Sequence, residues 1–120
     1  MRVPNPEISD AAIARVMAIK PHDPDTTIEI TGGLNRPGYE KSPGIAKLFD
    51  HARQLAAEIG FDLQDLATGG GSDGNFTAGI APTLDGLGVD GKGAHTDHEQ
   101  LYVSSLVPRA KLLLALYETL

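Results

Sequence analysis

The chain has 120 residues, the length of one ordinary domain, with 41% hydrophobic and 22% charged residues and a formal net charge of −6. Its ten basic residues are scattered, which argues against sequence-independent nucleic-acid binding, because neutralising phosphates needs clustered Lys and Arg. There is no cysteine, so disulfides, thiolate metal sites and cysteine nucleophiles are excluded together, and no segment reaches the roughly 18 apolar residues of a membrane span.

Read in chain order, Arg2-Val3 looks like the end of an extended segment. Asn5 is the expected N-cap of a first helix, with Pro6 at its first position. Ile8, Ala12, Val16 and Ile19 fall on one face of that helix, and Pro21 stops it. His22 to Asp25 is a turn. Thr26 to Thr31 alternates with a period of two, is rich in β-branched residues and predicts a strand closed by Gly32-Gly33. A polar connection from Leu34 to Lys41 leads to Ser42, an N-cap with Pro43 behind it. Ile45, Leu48, Phe49, Ala52, Leu55, Ala56 and Ile59 then make a long amphipathic stripe that Gly60 ends.

Phe61 to Leu66 predicts a short strand, Thr68 to Gly74 a tight loop, Asn75 to Gly79 a short helix and Ala81 to Leu84 another short strand. Asp85 to Gly93 reads as loop. Ser104 or Ser105 is expected to cap a last helix with Leu106, Ala110, Leu113, Tyr117 and Leu120 on one face. Pro108 fits there if it lies in the first turn. Helices alternating with short strands indicate an α/β or α+β layer structure with a thin sheet.

Chemistry concentrates between Gly69 and Glu99. His22 lies in a turn and His51 on the polar side of the long helix, and both read as solvent-exposed. His95 and His98 differ, because Gly93-Ala94-His95-Thr96-Asp97-His98-Glu99 packs two imidazoles and two carboxylates into a Gly-rich loop. Imidazole and carboxylate are ordinary zinc ligands, and loops on a rigid scaffold are where they sit; the alternative is a polar surface loop. A small site built from His95, Asp97 and His98 alone is a further alternative. The run Gly69-Gly70-Gly71-Ser72-Asp73-Gly74 lets backbone approach a ligand and aim N–H groups at an anion, or simply turns the chain with Ser72 or Asp73 as N-cap. Arg36, between Asn35 and Pro37, is placed to fork onto a carboxylate or to stand as a surface arginine.

These features occur in a telling order. Leu34-Asn35-Arg36-Pro37, Thr68-Gly69-Gly70-Gly71-Ser72-Asp73-Gly74, Pro82-Thr83-Leu84-Asp85-Gly86-Leu87-Gly88, Gly93-Ala94-His95 with Glu99, and Val107-Pro108-Arg109 resemble the C-terminal part of the glutamate carboxypeptidase, acetylornithine deacetylase and aminoacylase family. Those proteins are dinuclear zinc amidohydrolases, and the glutamate carboxypeptidase branch looks closest.

The resemblance implies that residues 1–33 are the second half of a lid and dimerisation domain, and residues 34–120 the C-terminal portion of a mixed-sheet α/β catalytic domain. It implies His95 as a zinc ligand, Arg36 and the backbone at Gly71 as the grip on a substrate's free carboxylate, and Glu99 as a carboxylate supporting the ligand histidine. The resemblance also implies that the family's His-x-Asp ligand motif, bridging Asp, Glu-Glu pair with the general base and lid histidine belong to a first half that is missing here; His95-Thr96-Asp97 has the His-x-Asp spelling but sits in the wrong place to be that motif.

The expected function is therefore a fragment of a zinc metallopeptidase or deacylase acting on a small peptide or N-acyl amino acid, inactive alone. Zinc follows from the resemblance, since the same ligands suit manganese or cobalt. The alternative is a non-catalytic dimerisation or interaction module derived from such an enzyme. Homo-oligomerisation through residues 1–33 is expected, with no nucleic-acid or membrane partner. The N-terminus has no apolar signal-peptide core, so the expected location is the cytoplasm.

Overall fold

The computed structural model describes residues 6–120. The expected extended segment at Arg2-Val3 and the Asn5 cap lie outside them. The elements in order are α1 (Pro6–Met17), α2 (Pro43–Ile59), α3 (Gly74–Thr77), β1 (Gly91–Lys92), β2 (Gln100–Leu101) and α4 (Val103–Thr119). The described residues are mostly helical with one small antiparallel sheet, compatible with the α/β or α+β class. Among the described residues no helix is long and apolar enough to cross a membrane.

Two compact units form. One gathers the described residues up to Lys41 with Thr68–Ala81, and the other Ser42–Ala67 with Pro82–Leu120.

The second unit is built on α2 and α4. The Ser42 hydroxyl accepts the Ile45 N–H at 3.3 Å and Pro43 takes the first turn, as the sequence predicts. At the other end Gly60, at φ 103°, donates to Ala56 O and Ala57 O, and the Phe61 N–H returns to Ala56 O at 3.0 Å. Such a terminus satisfies carbonyls that a helix end otherwise leaves bare, and it seats the next apolar residue against the helix. Phe61 accordingly packs on a core of Ala52, Ala56, Leu63, Leu112 and Leu116, with Phe49, Leu55 and Ile59 around it.

Three expectations about α4 change. It begins at Val103 with Tyr102 before it and no side-chain cap. Pro108 is its sixth residue, beyond the first turn, so the Ser104 carbonyl loses its helical donor; Ser104 is exposed to water, which limits the cost. The buried face runs through Ser105, Pro108, Arg109, Leu112 and Leu116, while Tyr117 is 83% exposed. The first turns of that face are polar, so the run of apolar residues points one position away from it.

The predicted strands at 26–31, 61–66 and 81–84 are not formed; the one ladder among the described residues joins β1 to β2. For 61–66 the period of two is still visible as burial, with Leu63 buried between exposed Asp62 and Gln64. What is missing is a neighbouring strand. In the first unit α1 ends at Met17, short of the expected stop at Pro21; it buries Ser9 and half-buries Ala12, while Ile8, Val16 and, beyond its end, Ile19 are exposed.

Candidate functional site

The predicted site residues lie in both units. Arg36 and Gly71 belong to the first, His95 and Glu99 to the second.

In the first unit the glycine loop is held by side chains. The Thr68 hydroxyl accepts the Gly70 N–H at 3.3 Å, and Asn75 Oδ1 accepts the Ser72 N–H at 2.7 Å. Asn75 Nδ2 in turn donates to Pro37 O at 2.7 Å. A single amide therefore ties the glycine loop to the loop of Arg36. Asn75 escapes a reading of the sequence because its distant partner is a backbone carbonyl, which carries no residue identity.

That tie brings Arg36 onto Gly71. A Cβ built on Gly71 would stand 3.2 Å from Arg36 Cδ, so the glycine makes room for the arginine stem. The guanidinium lies 5.3 Å from the centre of the Phe76 ring and 3.7 Å from Asp73 Oδ1. The Arg36 side chain is 38% exposed and that of Asp73 98%, so the pair is loose and contributes little. Asp73 occupies the N-cap position of α3 without capping it. The result is an accessible guanidinium with a fixed stem beside a glycine backbone, which suits a carboxylate in two-pronged contact.

In the second unit His95 sits in the loop of a hairpin. β1 and β2 pair antiparallel as Gly91↔Leu101 and Lys92↔Gln100, and residues 93–99 connect them. Thr96 N–H and Oγ–H both donate to Gly93 O, at 3.1 and 2.7 Å. Thr96 Oγ accepts the His98 N–H at 3.2 Å, and Thr96 O accepts the Glu99 N–H at 3.1 Å. His95 has φ 64°, the one non-glycine in the left-handed region among the described residues. Its N–H donates to Glu99 Oε2 at 3.3 Å. Glu99 thus braces the backbone of His95, and the imidazole is presented from an exposed, internally bonded loop.

These groups do not make a metal centre by themselves. Among the described residues no three His, Cys, Asp or Glu side chains gather in a way that would hold an ion. A catalytic zinc takes about three protein ligands, and His95 offers one. The small site from His95, Asp97 and His98 is not assembled. His51 is engaged elsewhere: its Nε2 meets Thr119 Oγ at 2.7 Å, and that hydroxyl donates to Ala115 O, so the imidazole is the donor.

Comparison with known proteins adds to this picture. The profile of Peptidase family M20/M25/M40 matches residues 4–119. The chain is similar to the uncharacterized protein YqjE of Bacillus subtilis (strain 168), with 32% identity over 82 residues, covering 68% of this chain and 22% of that protein. It is also similar to carboxypeptidase G2 of Pseudomonas sp. (strain RS-16), with 31% identity over 88 residues, covering 72% of this chain and 21% of that protein. The chain thus spans about a fifth of the length of these relatives. No solved structure gives a significant match.

Proposed function

The chain belongs to peptidase family M20/M25/M40, and on that footing we propose that it carries part of the machinery of a dinuclear zinc peptidase or deacylase that cleaves an amide bond beside a free carboxylate. The observation that carries the reading is the seating of Arg36 on Gly71. It supports a substrate grip in which the guanidinium takes the carboxylate and the glycine backbone lets the ligand come close. The similarity to a protein named as a carboxypeptidase favours a substrate with that group.

His95 is the one imidazole this chain would give to a metal centre, with Glu99 holding its backbone. When bound, zinc polarises a carbonyl and activates water. The groups present here neither complete that centre nor supply the family's Glu-Glu base, so no hydrolytic step is assigned to them. The 120-residue chain, supplied with zinc, is expected to leave N-acyl amino acids and dipeptides intact. Zinc-dependent turnover by the purified chain would overturn the assignment.

The grip can be tested on this chain directly. Titration with N-acetyl-glutamate should shift the amide signals of Gly70, Gly71 and Ser72. Arg36→Ala should weaken that binding about tenfold, the order expected from losing a charge-assisted contact of about 1.5 kcal/mol. Asp73→Asn should tighten it, because it removes a competing carboxylate 3.7 Å from the guanidinium. Shifts that persist in Arg36→Ala would reject Arg36 as the anchor.

An interaction role has its own support. Ile8, Val16, Met17 and Ile19 are each more than two-fifths exposed. An apolar stripe of this kind is more often covered than left in water. We propose self-association through residues 1–33, consistent with a lid and dimerisation segment. Light scattering should show a dimer that Val16→Lys converts to monomer. A monomeric parent chain at high concentration would count against it.

A further inference from the structure

The hairpin that presents His95 has a stem of only two residue pairs, and both strands are exposed. A ladder that short does not sustain itself in water. Its order has to come from the root.

The root is Asp90, which is held at three atoms. Its N–H donates to Ser105 Oγ at 2.9 Å, its carbonyl accepts the Tyr102 N–H at 2.8 Å, and its carboxylate accepts from Arg109 Nη2 at 2.5 Å. Ser105 Oγ spends its own proton on Tyr102 O at 2.7 Å, so one hydroxyl joins both ends of the hairpin. The Arg109 side chain is only 14% exposed, and its guanidinium lies 5.2 Å from the centre of the Phe61 ring. Its Nε is buried and has no hydrogen-bond partner among the described residues. A guanidinium so far removed from water leans on its single carboxylate, since a buried charge that loses its partner is costly. Phe61 packs on the core at the end of α2. The contacts therefore run without a break from the core to the hairpin root.

We propose that Asp90, Arg109 and Ser105 form a latch that fixes the hairpin and so sets where His95 is presented. Asp90 and Arg109 are positioning residues; neither needs to touch a ligand. The functional consequence rests on the reading of His95 as a metal ligand, whereas the ordering of the hairpin does not.

The test uses the whole chain and nitrogen-15 NMR. In Asp90→Asn and in Arg109→Lys, heteronuclear NOEs across 93–99 should fall, and the Tyr102 amide should exchange about tenfold faster or more, as in local opening. The Ala52, Ala56, Leu112 and Leu116 amides should keep their rates. The double variant should loosen the hairpin little more than either single one. Unchanged NOEs in both single variants would overturn the latch. So would equal acceleration across α2 and α4, which signals general destabilisation. The measurement is made without metal, so it separates the two readings: loosening of 93–99 in the latch variants upholds the latch whatever zinc does at His95, because one imidazole is not expected to hold the ion by itself.

Discussion

Leu112→Ala is expected to cost about 3–5 kcal/mol and to leave much of the second unit unfolded at room temperature. Leu112 is fully buried against a core whose α2 contribution is Ala52 and Ala56, also fully buried. Two alanines one turn apart give a flat seam that the leucine fills, and the larger residues packed on this core, Phe49, Leu55, Ile59 and Phe61, are only partly buried. The buried apolar residues among those described are Ile45, Ala52, Ala56, Leu63, Leu112 and Leu116. With so few, a loss of this size is comparable to the whole stability of a small domain. Urea unfolding followed by helical circular dichroism checks it. Leu114→Ala, on the same helix but at a site 58% exposed, is the control and should shift stability by no more than about 0.5 kcal/mol. Equal losses in the two variants would mean that α4 packs on a different face.

That face shows where the sequence can and cannot be read. α2 is legible from end to end, because its cap, its proline, its stripe and its terminal glycine all state the same helix. α4 is not. Three consecutive leucines, 112–114, satisfy any register, and the half of the buried face that would settle it is occupied by Ser105 and Arg109, which are there to bond Asp90. The three expected strands fail for a related reason. Periodicity reports which side chains face inward, as Leu63 does, but a strand also needs a partner, and pairing is not written in the segment itself. At the candidate site the structure seats Arg36 beside Gly71 and bonds Glu99 to the His95 N–H; the roles that the motifs suggest for these residues are proposals. The residues that hold these pieces in place, Asn75 and Asp90, have no motif, since they act on backbone atoms far away in the sequence or on the geometry of a turn.

Gly91→Ala is expected to undo the hairpin while leaving the helices intact. A Cβ at this position would run into the backbone oxygen of Gln100 and stand 3.2 Å from the Cα of Leu101. The obstacle is main chain on the facing strand, so no side-chain rotation relieves it. Because Gly91↔Leu101 is one of only two pairs in the ladder, parting the strands there removes half of it. Amides from 91 to 101 should lose protection about tenfold or more, and the His95 N–H should leave Glu99, while ellipticity at 222 nm changes little. Lys92→Ala, one residue on and exposed, should have no such effect. Gly93→Ala tests the loop separately, because its Cβ would stand 2.8 Å from His98 O at φ 71° and should disturb 93–99 without breaking the Gly91↔Leu101 pair. If Gly91→Ala kept a native hairpin, the close approach of the two strands would be wrong, and with it the rigid presentation of His95. If it melts the hairpin and spares the helices, the segment bearing the candidate ligand is a separate, weakly held element. Its position would then depend on contacts at its root.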